Sequence, residues 1–128
     1  MRNKFLGTGD PGYHPLRKLR IVLSGLRYAV VYDFSVAWQL AASVPVLVAT
    51  LLLRDWLDSL LLMVVTVFVL VAEMFNSAIE ALCDFVEPRY SEKIAVIKDI
   101  AAAAVGLAML AWLLVLGFEV AEMLAGQD

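Results

Sequence analysis

The sequence predicts an all-α integral membrane protein, with an N-terminal amphipathic surface helix followed by three transmembrane helices. Three observations lead there. Of its 128 residues 62% are hydrophobic, and the mean hydropathy is +0.84, more apolar surface than a soluble domain this small can bury. The apolar residues gather into long stretches almost free of charge. The net charge of −3 hides an asymmetry, because basic residues crowd the first quarter of the chain and vanish from its end.

Residues 1–15 read as a leader, and residues 16–128 as a single membrane domain. The opening MRNKFLGTGDPGYHPLRKLR lacks an apolar core followed by a small-residue cleavage site, so no removable signal peptide is expected. His14, among prolines and glycines, reads as a surface loop residue. From about 16 to 32, basic residues at 17, 18, 20 and 27 mix with apolar ones at 16, 19, 22, 23 and 26, near helical spacing. That fits an interfacial helix with its basic face on anionic lipid heads, and equally a charged flank that fixes topology.

The first span is placed at 34–53, whose uncharged FSVAWQLAASVPVLVATLLL is long enough for the roughly 30 Å of bilayer hydrocarbon. Pro45 inside it predicts a kink without a break, since lipid offers a broken backbone no partners. The second span is placed at 57–84 and the third at about 100–120, where residues 101–104 and Gly106 give a small surface for close helix approach. Trp56 is expected at the interface and Trp112 in packing. Cys83, the only cysteine, permits no intrachain disulfide and reads as a small apolar residue.

Six Lys and Arg residues precede the first span, Arg54 alone occupies the first turn, three lie between spans two and three, and none follows. The positive-inside rule then turns the N-terminus and second loop to the cytoplasm and the turn and acidic tail (Glu119, Glu122, Asp128) outward.

The chemistry concentrates in EMFNSAIEALCD, residues 73–84. Glu73, Asn76, Glu80 and Asp84 stand at offsets 0, +3, +7 and +11, within roughly an 80° arc that Ser77 borders. Ionised carboxylates cost a few kcal/mol each at mid-bilayer and face a bundle interior, a partner or a water-filled site. Adjacent carboxylates repel unless a proton or cation stands between them. Mg²⁺, which takes one or two carboxylates plus phosphate and water oxygens, suits the place, and a deeper carboxylate could act as general base on a lipid hydroxyl. The plainer reading is polar glue across a helix bundle. Arg89 and Lys93 in the second loop, with Lys98 and Asp99 beyond, could meet phosphate; taken alone, Lys98 and Asp99 are a topology charge and a helix cap. No Walker A loop, kinase-type Asp-Phe-Gly or internal repeat is present, and no nucleic-acid partner is expected.

Glu, two residues, Asn-Ser-Ala-Ile-Glu, three residues, Asp, then Lys-Asp with its Lys fourteen residues on, together with GLRYA at 25–29, resembles the prokaryotic diacylglycerol kinase family. That family includes bacterial diacylglycerol kinases and undecaprenol kinases. The resemblance implies a small kinase of the bacterial inner membrane with a surface helix and three spans, assembled as a homotrimer with cytoplasmic-side sites between protomers. By position Glu73 matches the catalytic base that activates the lipid hydroxyl, and Glu80 a Mg²⁺ ligand at the ATP site. Asn76 and Asp84 match polar residues required in the site. Lys98 and Asp99 match nucleotide contacts, as does the loop at Arg89, Tyr90 and Ser91. The family's metal-binding Glu before the first span falls on Asp33, a carboxylate one methylene shorter, and FSVAWQL stands where polar and basic residues are common. Arg17, Lys18 and Arg20 are nearest to the family's early basic lipid contacts.

The resemblance implies transfer of the γ-phosphate of ATP to diacylglycerol. Undecaprenol is the alternative substrate, since both activities share the motif. An ion- or proton-translocating subunit could also place a Glu in a small-residue bundle, and a purely structural oligomer could use the stripe as glue.

Overall fold

The computed structural model describes Gly12 and residues 14–126. The leader up to residue 11, with Arg2 and Lys4, and the terminal Asp128 lie outside the described residues. Four α-helices follow one another: α1 (Pro15–Tyr32), α2 (Phe34–Leu53), α3 (Trp56–Val86) and α4 (Glu92–Leu124). The last three are each long and apolar enough to cross a membrane.

Pro15 opens α1, where its fixed φ and missing N–H do no harm. Asp33 separates α1 from α2 in extended backbone, with φ −106° and ψ 108°. Its N–H still bonds Ala29 O at 3.0 Å, and its Oδ1 accepts from Ser35 N at 3.0 Å. One residue therefore ends one helix and caps the next. Pro45 leaves α2 unbroken through Leu53.

The helices outrun the spans expected from hydropathy. α3 begins at Trp56 and ends at Val86 instead of 57–84, and α4 runs Glu92–Leu124 instead of about 100–120. Hydropathy marks where a helix is apolar, and good helix formers such as Glu92, Lys93 and Lys98 carry it into polar surroundings. At 33 residues α4 is about 50 Å long, well beyond a bilayer core of roughly 30 Å. Two readings change as a result. Asp99 lies in the second turn of α4, behind Ser91 at the cap position, so it caps nothing. Glu119 and Glu122 belong to α4 and not to a tail, and Glu119 is fully buried.

α3 is the central element, packing against both α4 and α2, while α2 also touches α4 and α1. Val36, Leu62, Val69, Ala101 and Trp112 form the apolar core. Trp112 is the packing residue expected: its ring meets Trp38 edge-on at 5.4 Å, and its indole N–H donates to Ser43 Oγ at 2.9 Å. Of the small residues on α4 only Ala101 is buried; residues 102–104 and Gly106 are exposed, and a Cβ on Gly106 would meet nothing within 4 Å. Close approach inside this chain therefore does not depend on Gly106.

The burial pattern suits lipid. Leu52, Phe68, Leu107 and Leu114 are exposed, while Gln39, Ser43, Thr50, Ser59, Glu73 and Glu119 are buried. Where hydrocarbon cannot solvate polar groups, they pair between helices. Ser59 Oγ donates to Thr50 Oγ1 at 3.1 Å, and Thr50 Oγ1 donates to Leu47 O at 2.8 Å. At the same end Arg54 reaches Asp58 (3.4 Å), Glu119 (3.4 Å) and Glu122 (3.9 Å), tying the α2–α3 turn to α4.

Candidate active site on the α3 stripe

The spacing of the four polar residues on α3 puts them on one face, and burial falls along it. Glu73 is 6% exposed, Asn76 is half-buried, and Glu80 and Asp84 are exposed. The stripe thus leads from a desolvated carboxylate to the open end of the bundle.

Each member has a neighbour that fixes it. Glu73 Oε1 accepts from Gln39 Nε2 on α2 at 3.0 Å. Asn76 Nδ2 donates to Glu80 Oε1 at 3.3 Å, one turn along the same helix, and Asn76 Oδ1 is buried without a hydrogen-bond partner among the described residues. Ser77 Oγ donates to Asp33 Oδ2 at 2.5 Å, drawing the cap of α2 onto α3. Asp84 Oδ1 accepts from Lys98 Nζ of α4 at 2.6 Å.

Asp33, Ser77 and Glu80 line a cleft of about 570 Å³ whose other wall is α1, through Tyr28 and Tyr32. The two phenol rings stack with centroids 5.6 Å apart, the i,i+4 neighbours of one helix face. The cleft therefore holds two carboxylates, Asp33 from the α1–α2 junction and Glu80 from α3, together with the Ser77 hydroxyl. These are hard oxygen donors, the set that a divalent cation such as Mg²⁺ takes. No group of three His, Cys, Asp or Glu converges among the described residues.

The remaining expected residues lie elsewhere. Arg89 turns to Glu87, its guanidinium Nε at 2.9 Å and its backbone N at 3.1 Å from Glu87 Oε1. That side-chain bond, and then the backbone one, hold the Glu87 carboxyl below its ordinary value. Arg89 and Tyr90 project into open surroundings, each 87% exposed. Ser91 starts α4 without a side-chain cap bond, and Asp99 is exposed one residue beyond Lys98. Arg17, Lys18 and Arg20 stand in the first turns of α1, and none lines the cleft. Sequence reasoning missed Gln39 and the two tyrosines. A lone carboxamide in an otherwise apolar span was the available signal for Gln39, because such a group is costly in lipid unless paired.

Three long apolar helices, each able to cross a membrane, thus accompany a buried carboxylate and a carboxylate-lined cleft, the frame of a membrane protein with polar groups gathered on one helix face. The chain matches the family model for prokaryotic diacylglycerol kinase over residues 20–119, and it belongs to that family. The match takes in every residue from Asp33 to Asp99 discussed above and leaves out Arg17 and Lys18. Comparison with curated proteins gave no match.

Proposed function

We propose that this lipid-kinase family member transfers the γ-phosphate of ATP to the hydroxyl of diacylglycerol, giving phosphatidic acid. The observation that carries the reading is the arrangement along α3: a buried carboxylate, Glu73, on the same face as Glu80, which lines a cleft together with Asp33. In this reading the lipid hydroxyl comes to the first from the membrane, and the nucleotide to the second from water.

In this reading Glu73 takes the hydroxyl proton as the lipid oxygen bonds to the γ-phosphorus. The bond from that phosphorus to the β–γ bridging oxygen breaks, and ADP leaves with the electron pair. General-base assistance of this sort contributes about 10²- to 10⁴-fold. Gln39 occupies one oxygen of Glu73, which leaves the other for the hydroxyl. Asp33 and Glu80, with Asn76 supporting Glu80, would hold Mg²⁺, which when bound neutralises charge on the phosphates. Lys98, Asp99 and the loop at Arg89, Tyr90 and Ser91 position the nucleotide, and Asp84 fixes Lys98. Arg17 and Arg20 on α1 face the lipid headgroups. Catalysis then rests on placement and charge neutralisation.

The same reading places the N-terminus and the α3–α4 loop in the cytoplasm and the protein in the inner membrane. It also makes the active form a homotrimer. Glu80, Asp84 and Asp99 are exposed in the single chain, as residues of a site shared between protomers would be.

The test is transfer of labelled γ-phosphate from ATP to diacylglycerol and, in parallel, to undecaprenol, by purified wild type and Glu73→Gln. Product from diacylglycerol that falls about 10²-fold or more in the variant is the expected result. Product only from undecaprenol moves the substrate assignment. No product from either, in folded protein with Mg²⁺, overturns the kinase reading in favour of ion or proton translocation.

A further inference from the structure

Gln39 has no solvent exposure and sits in α2, facing α3. Its Nε2 donates to Glu73 Oε1 at 3.0 Å and lies 3.8 Å from Met109 Sδ of α4. Its own Oε1 is buried with no hydrogen-bond partner. One half of the amide is matched to Glu73, and the other half to nothing among the described residues. An unmatched buried carbonyl is destabilising, so an amide kept merely to join helices would be a poor choice beside leucine.

The mismatch makes sense if the carboxylate needs the donor. An ionised carboxylate only accepts, so the amide must turn its NH₂ toward Glu73 and leave its carbonyl behind. Glu73 has several rotatable bonds and stands in a region where lipid gives it no other donor. A carboxylate free to swing would meet the hydroxyl in few of its orientations, and misplacement of about 1 Å can cost 10²-fold in rate.

We propose that Gln39 is a positioning residue for the phosphotransfer, pinning one oxygen of Glu73 so that the other faces the lipid hydroxyl. The proposal rests on Glu73 being the base. Met109 of α4 lies against the same amide, so the group that holds Glu73 is itself held between α2 and α4.

The test uses full-length protein in lipid–detergent micelles with ATP and diacylglycerol. Gln39→Met keeps an unbranched apolar side chain of similar length and removes the donor. Gln39→His keeps a ring N–H that can reach the carboxylate. The expected result is a kcat at least tenfold lower in Gln39→Met with KM for ATP within about twofold of wild type, and substantial recovery in Gln39→His. In a Glu73→Gln background, where a single-turnover assay reads the residual rate, Gln39→Met is expected to add no further loss, because residues acting as a unit are non-additive. A Gln39→Met kcat within twofold of wild type overturns the proposal, and so does an equal loss in both backgrounds, which marks Gln39 as structural. Failure of the base reading itself shows separately: Glu73→Gln alone would then retain wild-type turnover, and the proposal falls with it.

Discussion

Lys98 Nζ lies 2.6 Å from Asp84 Oδ1, joining the last turns of α3 to the second turn of α4. The side chains are 35% and 64% exposed, and exposed ion pairs of that kind add little to stability. The consequence of the pair is placement. An ammonium has three donors, so Lys98 can keep Asp84 and still offer two N–H groups to a phosphate oxygen. Lys98→Met is expected to raise the KM for ATP about tenfold while the thermal midpoint barely moves, the loss of one charge-assisted hydrogen bond in the bound state. Paired enzyme assays and melting curves check it, and an unchanged KM would take Lys98 out of the nucleotide site.

Asp33 has two duties that substitution can separate. Its Oδ1 caps α2 through Ser35 N, and its Oδ2 accepts from Ser77 in the cleft it shares with Glu80. Asparagine caps as well as aspartate but brings no charge. Asp33→Asn is therefore expected to keep stability and to raise the Mg²⁺ concentration for half-maximal rate about tenfold. Asp33→Ala loses the cap as well, at about 1 kcal/mol. A Mg²⁺ titration beside a melting curve distinguishes the two. If Asp33→Asn leaves the Mg²⁺ dependence untouched, Asp33 is a cap and nothing more.

The stripe on α3 was legible because helical period is a property of sequence alone: residues at +3, +7 and +11 share a face whatever surrounds them. The three apolar helices were legible for a similar reason, since composition and length decide whether a helix suits lipid. What lay hidden came from contacts between helices. Nothing in FSVAWQL says that Gln39 meets Glu73, 34 residues away, because that depends on how α2 is rotated against α3. Arg54 read as a topology charge and Glu119 as the start of a tail. Their meeting requires α4 to run antiparallel beside the α2–α3 turn and to continue beyond its apolar stretch.

That meeting carries the largest expected effect on stability. The Glu119 side chain is 0% exposed and that of Arg54 9%, with Nε 3.4 Å from Oε2. Removing one partner leaves a buried charge uncompensated, which costs about 3 to 5 kcal/mol. Arg54→Met is expected to fall in that range. Glu119→Gln should cost less, because Arg54 keeps Asp58 and Glu122. Replacing both Arg54 and Glu119 by Met should recover much of the loss, since no buried charge remains of that pair. Denaturation in mixed micelles gives the three values, and a double variant worse than either single one would contradict the pairing.

The α3–α4 loop supplies a prediction in pH. Arg89 holds Glu87 through its side chain and then its backbone N–H, and the carboxyl titrates below its ordinary value. The sign follows from that depression. The contact stabilises the loop above the unfolded-state value and is lost as pH falls through the folded one. Because Arg89 is 87% exposed, the effect on global stability is small and is best read locally. Arg89→Ala is expected to return the Glu87 midpoint toward the ordinary glutamate range, followed by carbon NMR of its carboxyl. If the loop grips the nucleotide, phosphate must compete with Glu87 for the same guanidinium. Saturating ATP analogue and Mg²⁺ should then raise the Glu87 midpoint in wild type and leave it unmoved in Arg89→Ala. A wild-type midpoint that ignores the nucleotide would leave Arg89 as a loop clasp and hand phosphate recognition to Lys98.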